Sequence, residues 1–65
     1  MAKTYYFVVR DNGREVYEDE ISAGSLDEVK KKLKKMYGSE VSRLASFKIV
    51  DYSVGKSYSF STREL

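Results

Sequence analysis

The chain of 65 residues contains no cysteine, histidine, tryptophan or proline. Without cysteine and histidine it has no disulfide, no thiolate nucleophile, no imidazole base and neither of the ligands that zinc prefers. A domain this small then depends on close packing or on oligomerisation for its stability. We therefore predict no catalytic, cofactor or metal site, and expect a protein that acts by binding.

Long apolar segments are also missing. No run approaches the roughly 18 apolar residues that cross a bilayer, and the start of the chain lacks the apolar core of a secretion signal. With 34% charged and 42% hydrophobic residues, the composition is that of an ordinary soluble domain. We expect a single small domain over residues 1–65, located in the cytoplasm, with no membrane partner.

Two patterns before residue 23 indicate a β-hairpin. Residues 4–10 (TYYFVVR) are rich in β-branched and aromatic side chains, and residues 14–22 (REVYEDEIS) place Tyr17 and Ile21 on one face. Asn12-Gly13 between them favours the positive φ angles that a tight two-residue turn requires. The first two strands are therefore predicted to be adjacent and antiparallel.

The middle of the chain predicts one amphipathic helix. Ser25 and Glu28 fit the capping-box pattern at a helix start, and Gly38 fits a left-handed cap at its end. Between them one apolar stripe recurs at spacings of three and four residues, so the helix is predicted to pack through that stripe. Its members are Leu26, Val29, Leu33, Met36 and Tyr37.

A second hairpin is predicted after the helix. Residues 45–52 (ASFKIVDY) and 57–61 (SYSFS) alternate apolar with polar side chains, and Val54-Gly55 marks the turn. The complete pattern is β-β-α-β-β, a two-layer α+β fold in which one helix packs on a four-stranded antiparallel sheet. We predict the strand order 2-1-3-4, with 2-1-4-3 as the alternative, because the first strand is apolar on both faces, as a central strand is.

One helix, about 10–12 Å across, covers only one face of a sheet almost 20 Å wide. The sheet residues predicted beneath it are Tyr5, Phe7, Val9, Tyr17, Ile21, Phe47, Ile49, Tyr58 and Phe60. The opposite side, which we name the helix-free face, is predicted to carry Tyr6, Val8, Val16, Val50 and Tyr52. Contiguous apolar patches of this kind usually mark interaction sites, although a few exposed apolar residues are normal on any protein.

Charge is divided between the helix and the second strand. Five lysines against Asp27 and Glu28 leave the helix at +3, whereas the second strand stands at −3. The lysines that form a candidate basic patch, able to neutralise phosphates, are Lys30, Lys31, Lys34 and Lys35. The commoner interpretation of such a helix is a solvated surface with ion pairs between residues four apart.

The stretch from Tyr37-Gly38-Ser39 to Phe47-Lys48-Ile49 resembles a family of small archaeal and eukaryotic ribosomal proteins with a sheet-and-helix domain. In that family basic residues follow the Gly-Ser pair and the domain binds ribosomal RNA. Glu40, Val41 and Ser42 stand at those positions here. The resemblance therefore implies the architecture and does not imply RNA binding.

The residues leave three hypotheses of function open. The first is a non-enzymatic module that binds a protein partner, or a second copy of itself as a homodimer, through the helix-free face or a sheet edge. The second is a de novo designed or redesigned protein without a biological function, since the turn, cap and stop signals agree so consistently and proline is absent. The third is a nucleic-acid binder that uses the basic patch, with Tyr6 and Tyr52 as stacking platforms.

Overall fold

Four strands and one helix follow one another in the order that the sequence predicts. The computed structural model describes residues 2–65. Its elements are β1 (Lys3–Asp11), β2 (Arg14–Ala23), α1 (Leu26–Tyr37), β3 (Ser46–Asp51), β4 (Lys56–Ser61) and a short 3₁₀ helix (Thr62–Glu64). The strands form one antiparallel sheet in the order β2-β1-β3-β4. The α+β fold with strand order 2-1-3-4 is therefore confirmed, and the alternative order 2-1-4-3 is wrong.

A two-residue turn joins β1 to β2, as Asn12-Gly13 predicts. Asp11 pairs with Arg14, and the two residues between them have φ angles of 56° at Asn12 and 79° at Gly13. Positive φ at both central positions gives a turn whose twist matches the right-handed twist of the flanking strands. This turn sets the pairing of the first hairpin.

The two ends of α1 differ in detail from the predicted caps. Ser25 Oγ accepts the N–H of Glu28 at 3.3 Å, as expected, but the Glu28 carboxylate accepts the N–H of Gly24 at 2.7 Å. Gly38 has φ −58° and ψ −29°, so the prediction of a left-handed cap is wrong. A Cβ at Gly38 would collide with the carbonyl oxygen of Lys34, and this close approach accounts for the glycine.

The core lies between α1 and one face of the sheet. Its almost fully buried members are Tyr5, Phe7, Val9, Ala23, Val29, Leu33, Ala45, Phe47 and Ile49. The predicted place of Met36 in this core is wrong, because its side chain is 49% exposed. Its neighbour Tyr37 packs inward instead, with its ring centroid 5.7 Å from that of Phe7 and 4.4 Å from that of Tyr17.

Asp51 organises the turn between β3 and β4. The residue is only 7% exposed, and its Oδ1 accepts hydrogen bonds from the Ser53 hydroxyl at 2.7 Å and the Ser53 N–H at 2.9 Å. These bonds, with a smaller contribution from Lys3 at 3.8 Å, hold the pKa of Asp51 below its usual range although burial acts in the opposite direction. Gly55, at φ 66°, completes the turn.

Candidate interaction face

Tyr6 and Val50 lie side by side at the centre of the helix-free face. Tyr6 on β1 pairs with Val50 on β3 and with Glu20 on β2, while Val50 also pairs with Ser57 on β4. Both apolar side chains are half-buried. Residues directly opposite one another in a sheet share a face. One row across the four strands therefore contains, in order, Glu20, Tyr6, Val50 and Ser57.

Val8 lies in the next row of the helix-free face, between Glu18 of β2 and Lys48 of β3. It is only 8% exposed although no helix covers this side of the sheet. Long charged side chains commonly cover apolar neighbours with their aliphatic stems. An acidic side chain on the β2 side and a basic one on the β3 side therefore flank the apolar centre.

The Tyr6 ring is held in place by a hydrogen bond across two rows. Its hydroxyl donates to Glu18 Oε2 at 2.7 Å, and Glu18 pairs with Val8 rather than with Tyr6. This hydrogen bond raises the pKa of Tyr6 to about 12, with smaller contributions from burial and from nearby groups that include Tyr52. The phenol is therefore directed along the seam between β1 and β2 and keeps its proton at neutral pH.

Val16 and Tyr52 lie at the margins of the helix-free face. A β-bulge in β2 leaves Val16 without a partner in β1, and Glu15 takes the position opposite Arg10. Val16 is 43% exposed. Tyr52 follows the end of β3 in the turn and is 54% exposed. The structure thus brings the other three members of the face together and places these two at its edges.

The basic patch is divided between structural and exposed lysines. Lys30 Nζ lies 4.4 Å from the centroid of the Phe60 ring, which is a cation–π geometry. Lys31, Lys34 and Lys35 are exposed. A depression of about 360 Å³ has as its lining residues Asp27, Lys30, Lys31, Lys34 and Leu65. A carboxylate thus lies among three of the four lysines, and Lys35 lies outside this group.

A further exposed apolar residue, Leu44, was missed by the sequence analysis. It lies in the loop before β3 and is 84% exposed. Ser42, Arg43 and Arg63 line a shallow depression with it. Periodicity assigns residues to faces only within helices and strands, so a leucine in a loop gave no usable signal.

The described residues contain neither a metal cluster nor a membrane helix. Within residues 2–65 no three acidic side chains are grouped so that they could hold a metal ion. The same part of the chain has no helix long and apolar enough to cross a membrane. No protein-family model matches the chain, and neither curated proteins nor solved structures show a significant match to it.

Proposed function

We propose that this chain is a non-enzymatic interaction module of the cytoplasm that binds a protein partner through the helix-free face. The observation that supports this proposal is the adjacency of Tyr6, Val8 and Val50 on the two central strands, on the side of the sheet opposite α1. Central strands are normally covered on both sides or polar on one. An apolar centre on the uncovered side favours a second protein as its cover.

The dimensions of the helix-free face favour a small and reversible interface. Over the six positions at which β1, β3 and β4 pair, the four strands present roughly 400 Å² of flat surface at a spacing of about 4.8 Å. Stable complexes bury about 800 Å² on each partner, and weaker signalling encounters bury less. We therefore expect a dissociation constant that is roughly micromolar or weaker.

The charges and the fixed tyrosine define the chemistry of the partner. Because Glu18 already holds the hydroxyl of Tyr6, the ring loses little rotational freedom when a partner packs on it. Tyrosines of this kind are enriched among the residues that dominate binding energy. A complementary partner presents an apolar centre, a basic group opposite Glu18 and Glu20, and an acidic group opposite Lys48.

Nucleic acid is the second candidate, and the basic patch is the feature that favours it. Two helix lysines already make contacts within the protein, since Lys32 Nζ donates to the carbonyl oxygen of Ser22 at 2.8 Å and Lys30 lies against Phe60. Asp27 further reduces the positive potential of the patch. Binding of nucleic acid through the basic patch would weaken steeply as salt concentration rises.

A comparison of three immobilised baits tests the proposed function. The baits are the unchanged chain, Val50→Lys at the centre of the helix-free face, and Val54→Lys as the matched control. Val54 is also a valine of the second hairpin, but it lies in the turn and is 58% exposed. A lysine at either position can reach water, so circular dichroism should show all three chains folded.

We expect a protein that the unchanged chain and Val54→Lys both capture and that Val50→Lys does not. If all three baits capture the same proteins, or none, the helix-free face is not the binding surface. Capture that disappears after nuclease treatment would favour nucleic acid. A designed chain without a biological function would give no capture that depends on residue 50.

A further inference from the structure

The two edges of the sheet differ in how well they are protected against pairing with another chain. The β2 edge carries four acidic residues, Glu15, Glu18, Asp19 and Glu20. Charged side chains at an edge deter strand addition. The β4 edge carries one charged residue, Lys56, at its first position, and from residue 57 to residue 61 it reads Ser-Tyr-Ser-Phe-Ser, without charge or proline. Over residues 57–61 it is therefore less protected against strand addition than the β2 edge.

The outward backbone groups of β4 belong to its serines. The N–H of Thr62 donates to the Ala45 carbonyl at 3.1 Å, toward the β3 side, and the N–H of Ser61 donates to Glu64 Oε1 at 2.9 Å instead. Backbone groups alternate in direction along an antiparallel strand. Ser57 and Ser59 therefore direct their N–H and C=O groups away from β3, toward solvent.

The alternation of serine and aromatic residues along this edge is symmetric about Ser59. Aligning two antiparallel copies with Ser59 opposite Ser59 places Ser57 opposite Ser61 and Tyr58 opposite Phe60. We propose that a second copy of this chain pairs with β4 in this register, so that two four-stranded sheets form one continuous sheet. Each Ser59 exchanges both of its backbone hydrogen bonds with the other Ser59, as a twofold axis requires.

The aromatic side chains of β4 favour the same register. Tyr58 and Phe60 lie on the helix side of the sheet, because they pair with Ile49 and Phe47 of the core. Both remain half-buried, since α1 packs closer to β2 than to β4. In the paired sheet each Tyr58 lies opposite a Phe60 with Cβ atoms about 4.5–5.5 Å apart. The second copy thus covers the aromatic rings that α1 leaves open.

Lysine charge opposes this pairing and makes it dependent on salt. Lys30 lies over Phe60, and the two Phe60 residues of the dimer are diagonal neighbours whose Cα atoms are roughly 7–8 Å apart. Pairing therefore brings two ammonium groups toward each other on the same side of the sheet, and salt screens their repulsion, over a length of about 10 Å at 0.1 M and about 3 Å at 1 M. Dimerisation through β4 should strengthen as salt rises. Pairing through the helix-free face, where Glu18 would meet Lys48, should weaken.

Single cysteines in the otherwise cysteine-free chain test the register. In the proposed dimer the two residues at position 59 have Cα atoms about 5.5 Å apart, within the range of a disulfide. The two residues at position 57 are four residue steps out of register, about 14 Å apart along the strands. Ser59→Cys should therefore form a disulfide-linked dimer at least about tenfold faster than Ser57→Cys, the matched control on the same strand and face.

Sedimentation equilibrium of the unchanged chain gives the second measurement. We expect a monomer–dimer equilibrium that shifts toward dimer at high salt, that Ser59→Pro abolishes and that Val50→Lys retains. Proline at position 59 removes an outward N–H and leaves the bonds to β3 intact. Equal cross-linking rates for the two cysteine variants, or a chain that stays monomeric at millimolar concentration, would overturn the proposal.

Discussion

Leu33→Ala is the substitution that most severely tests the packing of α1 on the sheet. The helix buries only two of its side chains completely, Val29 and Leu33, and both are 0% exposed. The stability of the helix comes mainly from this contact, because isolated helices of about 12 residues are marginal in water. Replacing leucine by alanine removes three carbon atoms from the centre of the contact.

The expected loss is a large fraction of the total stability. Leucine-to-alanine changes in a core cost about 2.7–5 kcal/mol, including the cavity that remains. A chain of 65 residues has a free energy of unfolding of about 3–10 kcal/mol at 0.05–0.15 kcal/mol per residue. At about 4–8 °C per kcal/mol, a loss of 3 kcal/mol lowers the melting temperature by roughly 12–24 °C.

Urea unfolding followed by far-ultraviolet circular dichroism measures this loss, and Met36→Ala is the matched control. Met36 lies three residues further along the same helix but is 49% exposed, so its removal should cost about 1 kcal/mol or less. If the two variants lost the same stability, the described packing of α1 would be incorrect. An unfolded Leu33→Ala chain beside a folded Met36→Ala chain would agree with it.

Three further predictions concern the turns and the titrating groups. Gly13→Ala should cost about 1 kcal/mol in urea unfolding, because φ is +79° and no atom crowds the site; D-alanine at the same position should cost nothing. Glu18→Gln should lower the pKa of Tyr6 from about 12 toward 10 in a spectrophotometric titration, and an unchanged value would contradict the hydrogen bond. Hydrogen bonds from Ser53 and from Ser61 hold the pKa values of Asp51 and Glu64 below their ordinary range. These carboxylates contribute stability above their unfolded pKa values, about 4. That stability should be lost as the pH falls through their lower pKa values in the folded protein. Asp51→Asn should reduce this loss.

Local signals in the sequence were sufficient to predict the architecture. Asn12-Gly13 defines a turn by backbone conformation alone, and Ser25 with Glu28 marks a helix start by the hydrogen bonds that the first amides need. Residues 5–9 are apolar on both faces of their strand, and this pattern predicted a central strand. These features depend on neighbours in sequence, so they predict the elements and a central β1. They leave open which strand of the second hairpin lies beside β1, and the pairing of Tyr6 with Val50 in the structure decides for the order β2-β1-β3-β4.

The features that the sequence did not predict depend on contacts between distant elements. Met36 and Tyr37 both belong to the apolar stripe, and the stacking of Tyr37 on Tyr17 of β2 decides which of them turns inward. The bulge at Val16 is a property of the pairing between β1 and β2, and an alternating pattern cannot reveal it. Tyr52 continues the alternation of β3, but Asp51 already ends the strand by bonding to Ser53.

The most direct test of the proposed function is a titration followed by nuclear magnetic resonance. The chain is labelled at its valine methyl groups and titrated with the protein that the unchanged bait captures. Binding through the helix-free face should shift the methyl signals of Val8 and Val50 most, and leave that of Val29, which is fully buried between α1 and the sheet, almost unchanged. The largest shifts on Val29, with Val8 and Val50 unaffected, would place the partner on the helix side and contradict the account.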